Sequence, residues 1–284
     1  MTSNQPPREQ HHRAARYMTH ELAFSMGYVR TPGGFRHNSF VHPLKPGHVV
    51  AKHAGVLRTL DVATNTLVDV PAATVPAQDL AGAGGGWVTW AAWVNATGAS
   101  ITSFMTSWVV PPAPSSDSNQ LIYIFNALED QAGDDILQPV LQWGVSGGGG
   151  GSYWGVASWY VDSSQHAFCT PVVPVKVGDK LIGVLSFDGS NYKSEFQGIA
   201  GTSLIAQGLS QLVQATETLE VYGLTKSTDY PSAPMTRMTS INLQLAGNPT
   251  PLNWSASAMS NPPFGEHTTI ENSLNPGGEV DLYY

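Results

Sequence analysis

Residues 136–161 read ILQPVLQWGVSGGGGGSYWGVASWYV. Two apolar, aromatic-rich runs, ILQPVLQWG and YWGVASWYV, flank SGGGGGS. Glycine costs about 1 kcal/mol per residue in a helix interior, so five in a row do not nucleate one. The stretch therefore reads as strand, turn, strand. The same grammar repeats from residue 87 onward. WVTWAAWV is followed by SITSFMTSWVV, which stops at Pro111 and Pro112, and LIYIFNAL stops at EDQAGDD. DKLIGVLSF and YKSEFQGIA flank the turn signal DGSN, and TETLEVYGL, MTSINLQL, HTTIENS and EVDLYY complete the set. About a dozen short strands with turns every ~8–12 residues predict an all-β, two-sheet antiparallel sandwich. SLIAQGLSQLVQ, 203–214, reads as a short helix between strands.

Composition agrees. Of 284 residues only 12% are charged, 10% are aromatic, and there are 29 Gly, 20 Pro and eight Trp. That suits a turn-rich β protein and excludes disorder, a coiled coil or a solvated helical bundle. The formal net charge of −8 argues against nucleic acid as a partner, because its binders carry a basic face. Residues 1–82 hold eight Lys+Arg against five Asp+Glu, and seven of the nine His. Residues 83–284 hold five against sixteen, and all eight Trp. A +3 segment thus precedes a −11 segment, joined near AGAGGG at 81–86. The single cysteine, Cys169, allows no intrachain disulfide. MTSNQPPREQHHRAARYM lacks the apolar core of a secretory signal. No stretch reaches the ~18 apolar residues of a membrane span, so no membrane partner is expected.

Within the first segment, 8–26 lacks interior Gly and Pro, and Ala14, Ala15, Met18, Leu22, Ala23 and Met26 fit a helical stripe. TPGGFRHNSFVHPLKPGHVV reads as a loop and a short extended piece, VLRTLDVATNTLVDV as a hairpin around DVATNT, and 71–86 as a linker. The expected organisation is a basic, His-rich segment over 1–80 with some α and β structure, a Gly-rich linker over 81–86, and a β-sandwich over 87–284.

Several motifs bear on chemistry. GVSGG, 144–148, has the spelling of a hydrolase nucleophile elbow, but that elbow needs a helix after the turn and glycines follow instead. His37, His42, His48 and His53 fall five or six apart in loops. With no HExxH or Cys/His pairing they read as a pH-sensitive basic surface, and neither metal nor cofactor is expected. EDQAGDD reads as a solvated turn, its oxygens poorly spaced for calcium. Gln138, Gln142 and Glu220 differ, because each sits inside an apolar, strand-like run. A buried amide without a partner costs about 1–3 kcal/mol. Apolar neighbours favour acid or base work by a carboxylate, and a neutral amide can donate to a developing oxyanion. Such a pair suffices for water-mediated acyl hydrolysis; equally, Glu220 could face water and do nothing.

The order of these motifs resembles the eqolisin-type glutamic peptidases over residues 87–257. GWVTW precedes SWVVPPAPSS; IFNALED leads to ILQPVLQWG; then follow YWGVASWYV, VGDKLIGVLSF and ETLEVYGL. The resemblance implies a concanavalin-like sandwich with the active site on a concave sheet face. It also implies peptide-bond hydrolysis at acid pH by a dyad, Gln138 in ILQ and Glu220 in ETLEVYGL, and a secreted protein with a polypeptide substrate. Glu129, Gln142, Trp143, Trp154, Trp159 and Tyr160 would flank the cleft. The sequence departs from the family's pattern where Glu129 stands one residue off the family's acid, Gln142 replaces another acid and Ser158 a third. Family precursors carry a basic segment ahead of an acidic catalytic domain, so residues 1–80 read as a propeptide bound by charge and released by acid, or else as a permanently packed subdomain. The alternative function is a non-catalytic, lectin-like or peptide-binding sandwich whose tryptophans stack on ligand.

Overall fold

The computed structural model describes residues 20–71 and 85–284. Two packed β-sheets form a sandwich. In the first, the strands run in the order Ser255–Ala258, Gly85–Val94, Gln214–Tyr222, Leu121–Glu129, Ile136–Ser146, Gly149–Val161, Ala167–Cys169 and Val41–Pro43. In the second, the order is His267–Asn272, Gly278–Tyr283, Met235–Leu245, Ile101–Val109, Lys180–Phe187, Asn191–Phe196, Leu204–Gln207, His48–His53, Val56–Asp61 and Thr66–Asp69.

The alternation of side chains builds two apolar layers. A strand points successive residues to opposite faces. In Leu121–Glu129, Ile122, Ile124 and Leu128 enter the core between the sheets, whereas Leu121, Tyr123, Phe125 and Ala127 join a second cluster on the outer face. Every residue of this strand is buried, which explains its near-continuous apolar spelling. The neighbouring strand divides the same way: Leu137 and Leu141 inward, Ile136 and Val140 outward.

The outer face is covered by the N-terminal segment. A short helix, His20–Ser25, leads into a hairpin, Tyr28–Thr31 with Gly34–His37. Ala23, Tyr28 and Phe35 are buried in the outer cluster, and Phe35 meets Tyr222 edge to face at 5.5 Å. The chain then joins both sheets. Val41–Pro43 pairs with Ala167–Cys169 and His48–His53 with Leu204–Gln207, both in parallel. These two joins are where the expected antiparallel sandwich becomes mixed. The hairpin expected over 56–70 is present as Val56–Asp61 with Thr66–Asp69.

Three readings change. Of the helix expected over 8–26, residues 8–19 lie outside the described residues, and the described helix is His20–Ser25. The segment 31–50 holds three strands, not a loop and one extended piece. The helix expected over 203–214 is instead the strand Leu204–Gln207 followed by irregular chain. Leu204 and Ala206 are buried in alternation, the strand period, and Gly208 ends it at φ +70°. A Cβ on Gly208 would meet the Lys52 carbonyl oxygen at 2.0 Å, so partner pairing decides this segment rather than its apolar spacing. Of the linker over 71–86, residues 72–84 lie outside the described residues, while Gly85 and Gly86 already open the strand Gly85–Val94.

Candidate functional site

The outer face of the first sheet carries every buried polar group that sequence reasoning placed at its centre. Register fixes which side chains share it. Gln142, Tyr123 and Glu220 occupy one row across three strands. Four residues along, Gln138 lies beside Trp159, level with Ala127 and Thr216. Because the row separation is even, Gln138 and Glu220 point to the same side.

Gln138 is 1% exposed, and neither its Nε2 nor its Oε1 has a hydrogen-bond partner among the described residues. Two neighbours on the same face share that condition: the indole N–H of Trp159 and the hydroxyl of Thr218. Glu129, opposite Ile136, is the diagonal neighbour of Gln138 on the adjacent strand, a relationship that spans about 7–8 Å. Thr216 Oγ1 donates to Glu129 Oε1 at 3.2 Å. Between Gln138 and Thr216 stands Ala127, fully buried in the outer cluster. Glu129, Gln138 and Thr216 are buried.

Glu220 belongs to a different cluster. Tyr222 donates its hydroxyl to Glu220 Oε1 at 2.5 Å. The backbone N–H of Gly33 reaches both carboxylate oxygens, at 2.9 and 3.1 Å. Gly33 lies in the turn Thr31–Gly34 of the covering hairpin, at φ +80°. That turn is held by Arg36, whose Nη1 donates to Thr31 Oγ1 at 2.7 Å and to the Pro32 carbonyl at 3.4 Å. Burial, followed by the negative charge of Glu220, pushes the Tyr123 and Tyr222 phenols well above their usual range. Both therefore keep their protons; Tyr222 donates its own to Glu220, whereas the Tyr123 hydroxyl has no partner among the described residues.

The two clusters share a face without touching. The strand spacing and rise put the Cα atoms of Gln138 and Glu220 roughly 16–17 Å apart. The row between them is Val140, Phe125 and Thr218. Phe125, fully buried and set edge to face against Trp87 at 5.7 Å, stands midway. A directly facing Gln138–Glu220 pair is thus not formed.

The other expected cleft residues separate by face. Trp143, Trp154 and Tyr160 turn inward: Trp154 and Tyr160 are in the core between the sheets, with Trp143 packed against it. Trp143 and Trp154 meet edge to face at 5.5 Å. Strand parity dictates this, and corrects their placement beside a cleft. Trp159 is on the outer face, fully buried. Gln142 also faces out, but it is spent on its own hairpin. Its Nε2 donates to Gly144 O and Gly149 O, at 3.1 and 2.9 Å, and its Oε1 accepts from Ser146 Oγ at 3.1 Å. The glycine at 150, φ +107°, leaves room for this amide, since a Cβ there would lie 2.3 Å from Gln142 Nε2. Gln142 therefore ties the turn and does not reach toward a ligand. Ser158, where the resemblance had an acid, faces the second sheet and accepts from Ser194 Oγ at 3.0 Å.

Sequence reasoning missed Tyr222, Gly33 and Thr216. Tyr222 was visible as the residue two beyond Glu220, hence on its face. Gly33 had no signal, since the chain folds it in from 187 residues away. The GVSGG spelling lies across a strand-to-strand turn, so the helix a nucleophile elbow needs is absent there. Among the described residues, no group of three or more His, Cys, Asp or Glu is placed to hold a metal ion.

No family model matches the chain. No curated protein matches it either. Among solved structures, it is similar to a scytalidoglutamic peptidase with a peptide-based transition-state analogue, at 12% identity and TM-score 0.48, over 70% of this chain and 99% of that one. It is similar to SCP-B, a member of the eqolisin family of peptidases, in a complex with the tripeptide Ala-Ile-His, at 13% identity and TM-score 0.44, over 70% and 99%. It is also similar to CG-16, a homodimeric agglutinin from chicken liver, at 11% identity and TM-score 0.34, over 55% and 99%.

Proposed function

We propose that this chain is a peptide-bond hydrolase of the glutamic type, acting at acid pH and held closed by its own N-terminal hairpin. The observation that carries this reading is the Gln138 amide, buried to 1% exposure with neither polar atom partnered among the described residues. Leaving such a group unsatisfied costs about 1–3 kcal/mol, a cost that a ligand's carbonyl and N–H would remove. A neutral amide suits an oxyanion, because it donates a hydrogen bond without adding charge. The face also offers two carboxylates, Glu129 and Glu220, either of which can take a proton from water and return it to a leaving amine. The Gly33 N–H on Glu220 supports a polypeptide as substrate, since a backbone amide already occupies that position. The segment over 20–71 acts in this reading as a propeptide-like cover.

The test is cleavage of a denatured protein by the full chain at about pH 4, near the model Glu pKa, followed by mass spectrometry. Wild type should cut and Gln138→Ala should not.

A second reading rests on Phe125. With an aromatic ring midway between Gln138 and Glu220, the face would hold a polypeptide, as it holds the hairpin, without cutting it. A folded wild type that leaves the substrate intact favours this reading. The sugar-binding version has less support: of the eight Trp, five are buried and only Trp87, Trp90 and Trp143 are partly exposed.

A further inference from the structure

We infer that the strand Thr66–Asp69 is a self-association edge, through which two copies of this chain pair antiparallel about a two-fold axis at Leu67. It does not depend on the peptidase reading. Four strands stand at the ends of the two sheets' strand order among the described residues: Ser255–Ala258 and Val41–Pro43 in the first, His267–Asn272 and Thr66–Asp69 in the second. A sheet edge offers a row of unpaired backbone N–H and C=O groups, which proteins blunt with proline, charge, shortness or a cover. Val41–Pro43 is short and ends in proline. Ser255–Ala258 carries only Ser and Ala. His267–Asn272 is half-buried over Thr268, Thr269 and Ile270 and carries Glu271. Thr66–Asp69 is exposed at every position. Leu67 and Val68, 52% and 47% exposed, point to opposite faces. Val56 and Val62 of the same hairpin are also exposed. One such residue is ordinary on a surface, but several within one hairpin form the kind of patch that marks an interface.

Self-complementarity names the occupant. An isologous contact sets the same patch of both copies together. A two-fold axis normal to the sheet keeps each side chain on its own face, so opposed residue numbers sum to an even value. Two registers are centred on the strand. In one, Leu67 meets its own equivalent, Thr66 meets Val68 and Asn65 meets Asp69. In the other, Val68 meets its equivalent, Leu67 meets Asp69, and Asn65 meets Pro71, which has no N–H to pair. The first sets apolar and β-branched side chains against one another, opposes no like charges and stops short of Pro71. Charge permits the approach: residues 45–71 hold three Lys+Arg and two Asp, whereas the whole chain stands at −8, so two acidic bodies meet where neither is acidic. The chain that directly follows, 72–84, reads AATVPAQDLAGAG; its Ala, Gly and Pro are residues that strands disfavour, which makes it a poor cover for this edge. So short an edge buries less than the about 1,200 Å² of a standard interface, and the dimer is a weak one.

The experiment follows sedimentation of the full chain over a range of concentrations, as wild type, Leu67→Lys, Leu67→Cys and Val68→Cys. Wild type should pass from monomer to dimer as concentration rises. Leu67→Lys removes the apolar pair and sets like charges across the axis, and should weaken the dimer by about 10-fold or more. Its Tm should equal that of wild type, because Leu67 lies on the surface. At the axis, directly opposed Cβ atoms lie about 4.5–5.5 Å apart, close to the reach of a disulfide. With oxidised glutathione as oxidant, Leu67→Cys should therefore form a covalent dimer about 10-fold or more faster than Val68→Cys. Cys169, fully buried with its thiol pushed up to about 12, does not compete. The crosslink decides the matter if Leu67→Lys does not fold. A wild type that stays monomeric at every concentration overturns the inference, and so do equal or reversed crosslinking rates. A dimer that Leu67→Lys leaves intact puts the contact elsewhere and overturns it too.

Discussion

The backbone N–H of Gly33 lies against both carboxylate oxygens of Glu220, at 2.9 and 3.1 Å, although 187 residues separate them in sequence. This contact closes the outer face, and it depends on a glycine. Gly33 is at φ +80°, where a Cβ costs roughly 1–2 kcal/mol. Gly33→Ala should therefore open the turn about 5–30-fold more often. Labelling of Glu220 by a water-soluble carbodiimide and glycine ethyl ester, quantified by mass spectrometry, should accelerate by that factor. A labelling rate equal to wild type would mean that the turn does not control access.

Tyr222 holds the carboxylate of Glu220. Its hydroxyl donates at 2.5 Å, and burial keeps the phenol protonated. Tyr222→Phe should cost about 1.5–3 kcal/mol of stability, the range for a hydrogen bond to a charged group. Denaturant midpoints read the loss. A midpoint equal to wild type would show that the hydroxyl adds nothing to the fold at this position.

The N-terminal segment meets the sandwich at a histidine pair. His42 Nε2 and His166 Nδ1 are 2.7 Å apart with stacked rings, between Phe40 and Phe168. Burial, then His166, lowers the His42 pKa to about 4. His166 is lowered by burial, raised by Asp162 and lowered again by Arg36. Nearby, Lys52 bonds Asp135 at 2.9 Å and lies 3.6 Å from Asp162. For a depressed pKa the unfolded state binds more protons between the two values. Stability is thus complete above the model value of 6.5 and falls as pH drops toward about 4. Hydrogen exchange of 41–53 should quicken over that window in wild type. In His42→Phe, which keeps the ring packing and removes the titration, the window should flatten. An equal slope in both proteins would exclude the pair as the source.

The sandwich was legible because alternation and glycine turns are local. Strand and turn at 136–161 follow from five glycines between apolar runs, and the two faces of Leu121–Glu129 follow from a period of two. Register was not legible. Whether Gln138 faces Glu220 or Glu129 depends on how three strands slide past one another, and nothing in ILQPVLQWG or TETLEVYGL states that offset. Parity alone would have placed Trp154 and Tyr160 opposite Trp159, which lies between them in number. The cover over this face was suggested only by charge, whereas its contacts are apolar side chains such as Phe35 and one backbone N–H in TPGG.

Glu217 supplies a pH effect of opposite sign to the histidines. It faces the core between the sheets, fully buried, and accepts from Thr106 Oγ1 at 2.5 Å while its Oε2 has no partner among the described residues. Burial raises its pKa well above the usual value, outweighing the Thr106 hydrogen bond. A raised carboxylate takes up a proton on folding, so its stabilising contribution is complete below the unfolded value of about 4.3 and declines as pH rises above it. Glu217→Gln keeps the shape and the acceptor without the titration. Its Tm should exceed that of wild type at pH 7, and the difference should shrink toward pH 4. A Tm difference that stays constant across that range would mean that Glu217 remains ionised in the core, stabilised by a partner other than Thr106.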